Sequence, residues 1–178
     1  MKTHNYLNMI VADLEVRSHS PQAWAVLLDH RGFLCEGMGS NLFWCATACS
    51  IRPRANMCWR GVSRQTVIEL AGELGIPVVQ DDLTVYDAYR ADEAIITSTS
   101  FCLCPVATFN QKRVQNAAIP GPITQKLMDA FSDLVDFDFV GQYLRHLQKV
   151  NFYDARLCLF KLSVINAGIV MTMIFMIS

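Results

Sequence analysis

The chain has 178 residues, with 15 Lys and Arg against 16 Asp and Glu and a net charge of −1, which bounds it to one or two domains with enough apolar sequence for a substantial core. Both signs of charge are interspersed and no basic run is interleaved with aromatics, which excludes a nucleic-acid binder. Seven cysteines occur, but the close pairs Cys45/Cys49 and Cys102/Cys104 lack the CxxC spacing of a zinc site, so no metal is expected and the thiols read as free in a reducing, cytoplasmic setting.

Leu7, Ile10, Val11 and Leu14 recur at helical spacing, so Asn5 to about Arg17 reads as an amphipathic helix with Lys2 just ahead of it. AWAVLLD, FLCEG and NLFWCA follow as a β meander turning at DHRG and at GMGS, with Glu36 at the edge of that sheet. Thr47 to Trp59 has no clean period and reads as loop. GVSRQTVIELAGELG is a strong helix with Ser63 as candidate N-cap and Gly75 as the stop. IPVVQDD is then a strand, TVYDAYRA a short helix, and EAIITSTS a strand ending in hydroxyls, with CPVATFN extending the sheet. GPITQKLMDAFSDLV is a helix with Pro122 in its first turn, and GQYLRHL a shorter one. No repeat or linker divides these pieces, so Thr3 to about Leu147 forms one α+β unit.

The segment Ser163 to Ser178 carries no charged residue and falls short of the roughly 20 residues that span a bilayer. Two readings of this tail stay open, a membrane contact and a segment foreign to the domain.

Polar groups gather at the element ends: Lys2 before a helix, Glu36 at a strand corner, Val62 and Ser63 at a helix start, and Thr97 to Ser100 at a strand end. A helix start offers free N–H groups and the positive end of a dipole to a phosphate, and a hydroxyl there adds a donor. A carboxylate keeps a pyridine nitrogen protonated, and a lysine amine bonds to an aldehyde. These are the requirements of pyridoxal 5′-phosphate. Each signal alone has a plain structural reading: a cap for Ser63, strand propensity for the Thr/Ser run, a solvated charge for Glu36 and a surface charge for Lys2. GMG lacks the following helix that a dinucleotide loop needs.

The ordered series KTHNYL, LLDHRGFLCEGMGSNLF, GVSRQTVIELAGELGIPV, DAYRADEAIITSTS, CPV and PGPIT resembles the larger, C-terminal domain of the fold-type IV, or class IV, pyridoxal-phosphate enzymes. That family comprises branched-chain and D-amino-acid aminotransferases, (R)-selective amine transaminases and aminodeoxychorismate lyases. The resemblance runs from Lys2 to about Leu147. It implies that Lys2 bonds covalently to the cofactor, that Glu36 pairs with the pyridine nitrogen, and that Ser40 and Asn41 support Glu36. It also implies that Val62 and Ser63 start the phosphate-binding helix and that Ser98 and Thr99 lie near the phosphate and the substrate carboxylate. Trp59 stands beneath the ring, where the family usually has a smaller aliphatic residue. FCLCPV resembles the region near the substrate carboxylate in branched-chain enzymes.

What the resemblance implies overall is a large domain at 1–150 without the family's N-terminal small domain, followed by an unrelated apolar tail at 151–178. It further implies a cytoplasmic, homodimeric enzyme transferring amino groups between an amino acid or amine and a 2-keto acid. The segment WCATACSIRPRANMCW replaces a hairpin of the family, and without the small domain, which carries a phosphate-binding arginine, activity is expected to be impaired. The alternatives are elimination of the aminodeoxychorismate-lyase type and a non-catalytic remnant.

Overall fold

The computed structural model describes residues 5–46, 49–52, 58–114, 118–149 and 160–164. In chain order the elements are α1 (Leu7–His19), β1 (Ala23–Leu28), β2 (Leu34–Gly37), β3 (Asn41–Ala46), β4 (Cys49–Arg52), α2 (Val62–Glu73), β5 (Val78–Gln80) and α3 (Val85–Arg90), then β6 (Glu93–Ser98), β7 (Cys102–Phe109), β8 (Lys112–Arg113), α4 (Pro122–Val135), α5 (Phe139–Lys149) and β9 (Phe160–Val164). The strands run in the order β2-β1-β9-β7-β6-β3-β4-β5, with β8 paired to β7. The fold is α+β.

Strands β3 and β6 lie at the heart of the sheet, and their side chains alternate between two cores. Leu42, Trp44, Ala94 and Ile96 face one side with Phe109 and Val106, closed by Leu83, Ala88 and Ala91 around α3. Phe43, Cys45 and Ile95 face the other, where Val67, Leu70 and Ala71 of α2 and Leu127, Met128 and Phe131 of α4 cover them. Burial on both faces is why NLFWC and EAII are apolar without interruption rather than alternating. The edge-on contact of Trp44 with Phe109, ring centroids 5.0 Å apart, stiffens the first core.

Several local expectations change in three dimensions. In α1 the periodic apolar residues face outward: Leu7 is 63% exposed and Leu14 64%, while Ala12 and Val16 pack on Ala23 and Ala25 of β1. Small side chains decide the contact because they let the helix backbone approach the strand closely. In α2 the N-cap is Gly61, without a side-chain cap, so Ser63 is not the cap but sits inside the first turn. The stretch expected as loop contains β4, which pairs antiparallel with β3 (Trp44 with Ile51, Ala46 with Cys49) and parallel with β5. β4 therefore pairs with β3 despite the irregular sequence; 47–48 and 53–57 lie outside the described residues. Finally, β9 falls within the segment expected to be an unrelated tail. It pairs in parallel with both β1 (Ala23 with Lys161, Val26 with Val164) and β7, because the facing edges of β1 and β7 otherwise leave backbone groups without a ladder. Among the described residues no helix is long and apolar enough to cross a membrane.

The C-terminal ends of α2 and of the first hairpin follow turn chemistry. Gly75 ends α2 at φ +66°, and Asp29 folds the DHRG turn by accepting the N–H groups of Arg31 and Phe33 at 2.9 and 3.0 Å. Burial of Asp29 works against its charge, but the Arg31 guanidinium and the two N–H groups outweigh it and hold the carboxyl below the usual range.

Buried Glu93 on β6 caps α4 across the sheet. Its oxygens accept the N–H of Ile123 at 2.9 Å and of Thr124 at 2.8 Å and the Thr124 hydroxyl at 2.6 Å. The helix N-cap, Gly121, has no room for a Cβ, which would stand 2.2 Å from Glu93 Cδ. Glu93→Ala should leave these buried donors unpaired and lower unfolding free energy by about 2–4 kcal/mol in urea titration; an unchanged midpoint would mean that the cap contributes nothing.

Candidate active site

Glu36 lies at the end of β2 and is only 6% exposed although β2 ends the sheet path. The chain turns back at once: Gly37 and Ser40 exchange backbone hydrogen bonds at 3.1 and 3.3 Å around Met38 and Gly39, with Gly39 at φ +71°. A Cβ on Gly37 would sit 2.5 Å from Ser40 Oγ and 3.2 Å from the Ala25 carbonyl. The tight corner delivers Asn41 to the start of β3, opposite Thr97 of β6.

Glu36 Oε2 accepts the Trp59 N–H at 2.8 Å and the Asn41 amide at 3.3 Å, while the same Asn41 Nδ2 donates to the Trp59 carbonyl at 3.0 Å. Asn41 thus clamps a carboxylate on β2 to the backbone that leads into α2. Gly61 makes the clamp possible, because a Cβ there would lie 2.6 Å from Asn41 Oδ1. Burial pushes the Glu36 carboxyl up to about 7, against the lowering effects of the Trp59 N–H and of the Arg64 charge. Arg64, buried in the first turn of α2, is pulled the other way: burial lowers its pKa and Glu36 partly restores it.

A cavity of about 230 Å³ opens at this point. It is lined by Glu36, Ser40, Asn41, Trp59, Val62, Ser63, Ser98 and Thr99, so eight of the nine residues singled out from the sequence meet in one place. The ninth, Lys2, lies outside the described residues. The corner, the start of α2 and the end of β6 converge because β6 pairs with β3 while α2 packs against the same strands. Ser63, the second residue of α2, is buried at the cavity wall, and Trp59 is 44% exposed at its rim.

Tyr6, Met9, Gly39, Arg60 and Gly61 also line the cavity without having been singled out in the sequence, as does Thr97, which the sequence offered only as part of the hydroxyl run. Arg60 adjoins the helix start, but its position signals no site until the strands are paired. In the cavity wall Thr97 Oγ1 and Ser40 Oγ are buried without hydrogen-bond partners among the described residues; one terminal nitrogen of Arg64 and the Trp44 indole nitrogen share that condition away from the lining. Buried donors without partners at a cavity wall are groups that a polar ligand satisfies.

A family model described as amino-transferase class IV matches residues 1–109. The chain belongs to the class IV aminotransferases. Among curated relatives, the branched-chain-amino-acid aminotransferase of Pseudomonas aeruginosa is 33% identical over 130 residues, which are 73% of this chain and 42% of that protein. Among solved structures, the branched-chain amino acid aminotransferase of Escherichia coli superposes with a TM-score of 0.68 at 31% identity, over 74% of this chain and 43% of the other. The enzyme of that name from Thermobaculum terrenum, solved in its PLP holo-form, gives 0.69 at 30% identity over 77% and 45%. The chain therefore spans less than half the length of the class IV proteins it matches.

The raised Glu36 pKa sets a stability profile for the cofactor-free chain. The folded carboxyl keeps its proton to about 7, whereas the unfolded one releases it near its ordinary value of about 4.5. The native state binds more protons in between, so stability is full below about 4.5 and falls as pH rises to about 7, by on the order of 3 kcal/mol. Glu36→Gln should abolish that fall and melt higher than wild type at pH 8. A wild-type melting temperature that is flat across this range would contradict the assigned ionisation.

Proposed function

We propose that this chain supplies the cofactor-holding part of a pyridoxal 5′-phosphate-dependent aminotransferase of the branched-chain type, exchanging an amino group between an amino acid and a 2-keto acid. The observation that carries this reading is the buried Glu36, held from behind through Oε2 and sharing a cavity with a helix start and two buried hydroxyls without partners. Family membership supports it, as does the holo-form named for a structural relative.

The residues present fit the cofactor. Glu36 would accept a hydrogen bond from the pyridinium nitrogen, and a cation placed there favours the ionised carboxylate over the proton-bound form that burial alone favours. The N–H groups opening α2 at Val62 and Ser63, with the Ser63 hydroxyl, would hold the phosphate dianion, and Arg60 beside them adds a positive charge. Ser98, Thr99 and Thr97 at the end of β6 offer hydroxyls to the phosphate or the substrate carboxylate. The Trp59 ring stands at the rim where it would cover one face of the pyridine.

When bound, the cofactor supplies an electron sink for the charge left as the substrate carbon loses its proton. Asn41 and the Trp59 N–H keep Glu36 fixed, so no reorganisation is needed as ring charge changes. Lys2 would be both the attachment point and the base that carries the proton. Homodimerisation and a cytoplasmic setting belong to the same proposal.

The test is titration of the purified chain with pyridoxal 5′-phosphate, followed by incubation with branched-chain amino acids and 2-keto acids. A new visible absorbance band, and amino transfer that needs the keto acid, are expected; absence of a band at millimolar cofactor would overturn the reading. Borohydride reduction and peptide mapping should place the label on Lys2, and label on Lys112 or Lys126 instead would reassign the attachment point.

Ser63→Ala should weaken cofactor binding by about 1–3 kcal/mol, the range for losing a hydrogen bond to a charged group. Unchanged affinity with a lowered melting temperature would give Ser63 a structural role alone.

A further inference from the structure

Two thiols stand back to back with the Glu36 clamp. Cys35 precedes Glu36 on β2 and Cys58 precedes Trp59, so the sulfurs and the Trp59 N–H···Oε2 bond are successive rungs between the same two segments. The Sγ atoms are 3.5 Å apart, Cys35 is 9% exposed and Cys58 is half-buried. A disulfide needs about 2.05 Å between sulfurs, so closing the gap takes a movement of about 1.5 Å.

We propose that Cys35 and Cys58 are an oxidation site at which hydrogen peroxide forms an intramolecular disulfide, covalently pinning the Trp59 backbone to β2 behind the candidate active site. The more accessible Cys58, as thiolate, attacks the peroxide oxygen, which gives a sulfenic acid and releases the other oxygen as water once protonated. The Cys35 sulfur then attacks the Cys58 sulfur; the S–S bond forms, the S–O bond breaks, and hydroxide leaves with a proton as a second water. Two thiols lose two electrons in all, and one peroxide is reduced to two waters.

The surroundings set the pace. The hydrogen bond with Cys35 is the largest influence holding the Cys58 thiol above its ordinary pKa, followed by burial and by the nearby carboxyl groups of Glu36 and Asp29. The Cys58 thiol is therefore protonated and slow to react at neutral pH, and the cross-link builds under sustained oxidant rather than on brief exposure. The inference does not depend on the proposed cofactor chemistry, because the cross-link needs only the thiols.

The deciding experiment treats the full chain with hydrogen peroxide, blocks remaining thiols, and maps peptides without reduction, with hydrogen exchange followed at the Trp59 amide. A peptide pair joined through Cys35 and Cys58 is expected, lighter by two hydrogens and separated again by dithiothreitol, with Trp59 exchange slowed about tenfold or more as the opening of that rung is suppressed. Cys58→Ala should lose the cross-link and the slowing together. Should that variant fail to fold, the wild-type map decides alone. Sulfinic acid at either residue without a cross-link, or a dominant pairing with another cysteine, would overturn the proposal; a cross-link with unaltered Trp59 exchange would overturn the pinning.

Discussion

One buried carboxylate organises the functional end of this protein. Glu36 lies on a strand at the margin of the sheet, where a charge would ordinarily be hydrated, yet the segment entering α2 closes over it and takes it out of water. That burial is tolerable only because Oε2 receives a backbone N–H and a side-chain amide and because Arg64 supplies an opposing charge. Neighbouring residues are constrained in turn. Asn41 reaches both Glu36 and the Trp59 carbonyl, so Gly61 must lack a side chain, and Gly37 must lack one for the corner to bring Asn41 into place.

The sheet makes this arrangement rigid. β3 and β6 are buried on both faces, so Asn41 and Thr97, paired across them, are set by two cores at once and not by the flexibility of a loop. α2 is anchored on the same strands by Val67, Leu70 and Ala71, which aims its first turn at the cavity. Glu93 does for α4 what a local cap cannot, tying the helix start to β6 through three hydrogen bonds from residues thirty positions away. Scaffold and site therefore share strands, and two buried hydroxyls whose pairing is incomplete, Ser40 and Thr97, lie at the cavity where those strands end.

Much of this was legible in the chain. Helices α2 and α4 announced themselves by apolar period, by Gly75 and by Pro122, and the meander by its apolar runs and turn residues. The motif order carried the family, and eight of the nine candidate residues line one cavity. What misled were patterns whose meaning depends on the partner surface. The apolar stripe of α1 faces outward because Ala12 and Val16 give the closer contact with β1, and Ser63 yields the cap to Gly61 because the entering backbone, held through Trp59, sets where α2 begins. β4 and β9 escaped notice because their order comes from neighbouring strand edges and not from their own composition.

The sequence by itself determined the elements whose stability is local and the identity of the polar residues, since period, capping chemistry and motif order act over a few residues along the chain. Only the tertiary structure decided that Glu36 is buried, that its carboxyl rises to about 7, that Arg64 and Thr97 belong beside it, and that Cys35 meets Cys58. Those properties arise from distance and desolvation between segments more than twenty residues apart, and neither quantity exists until the sheet has brought them together.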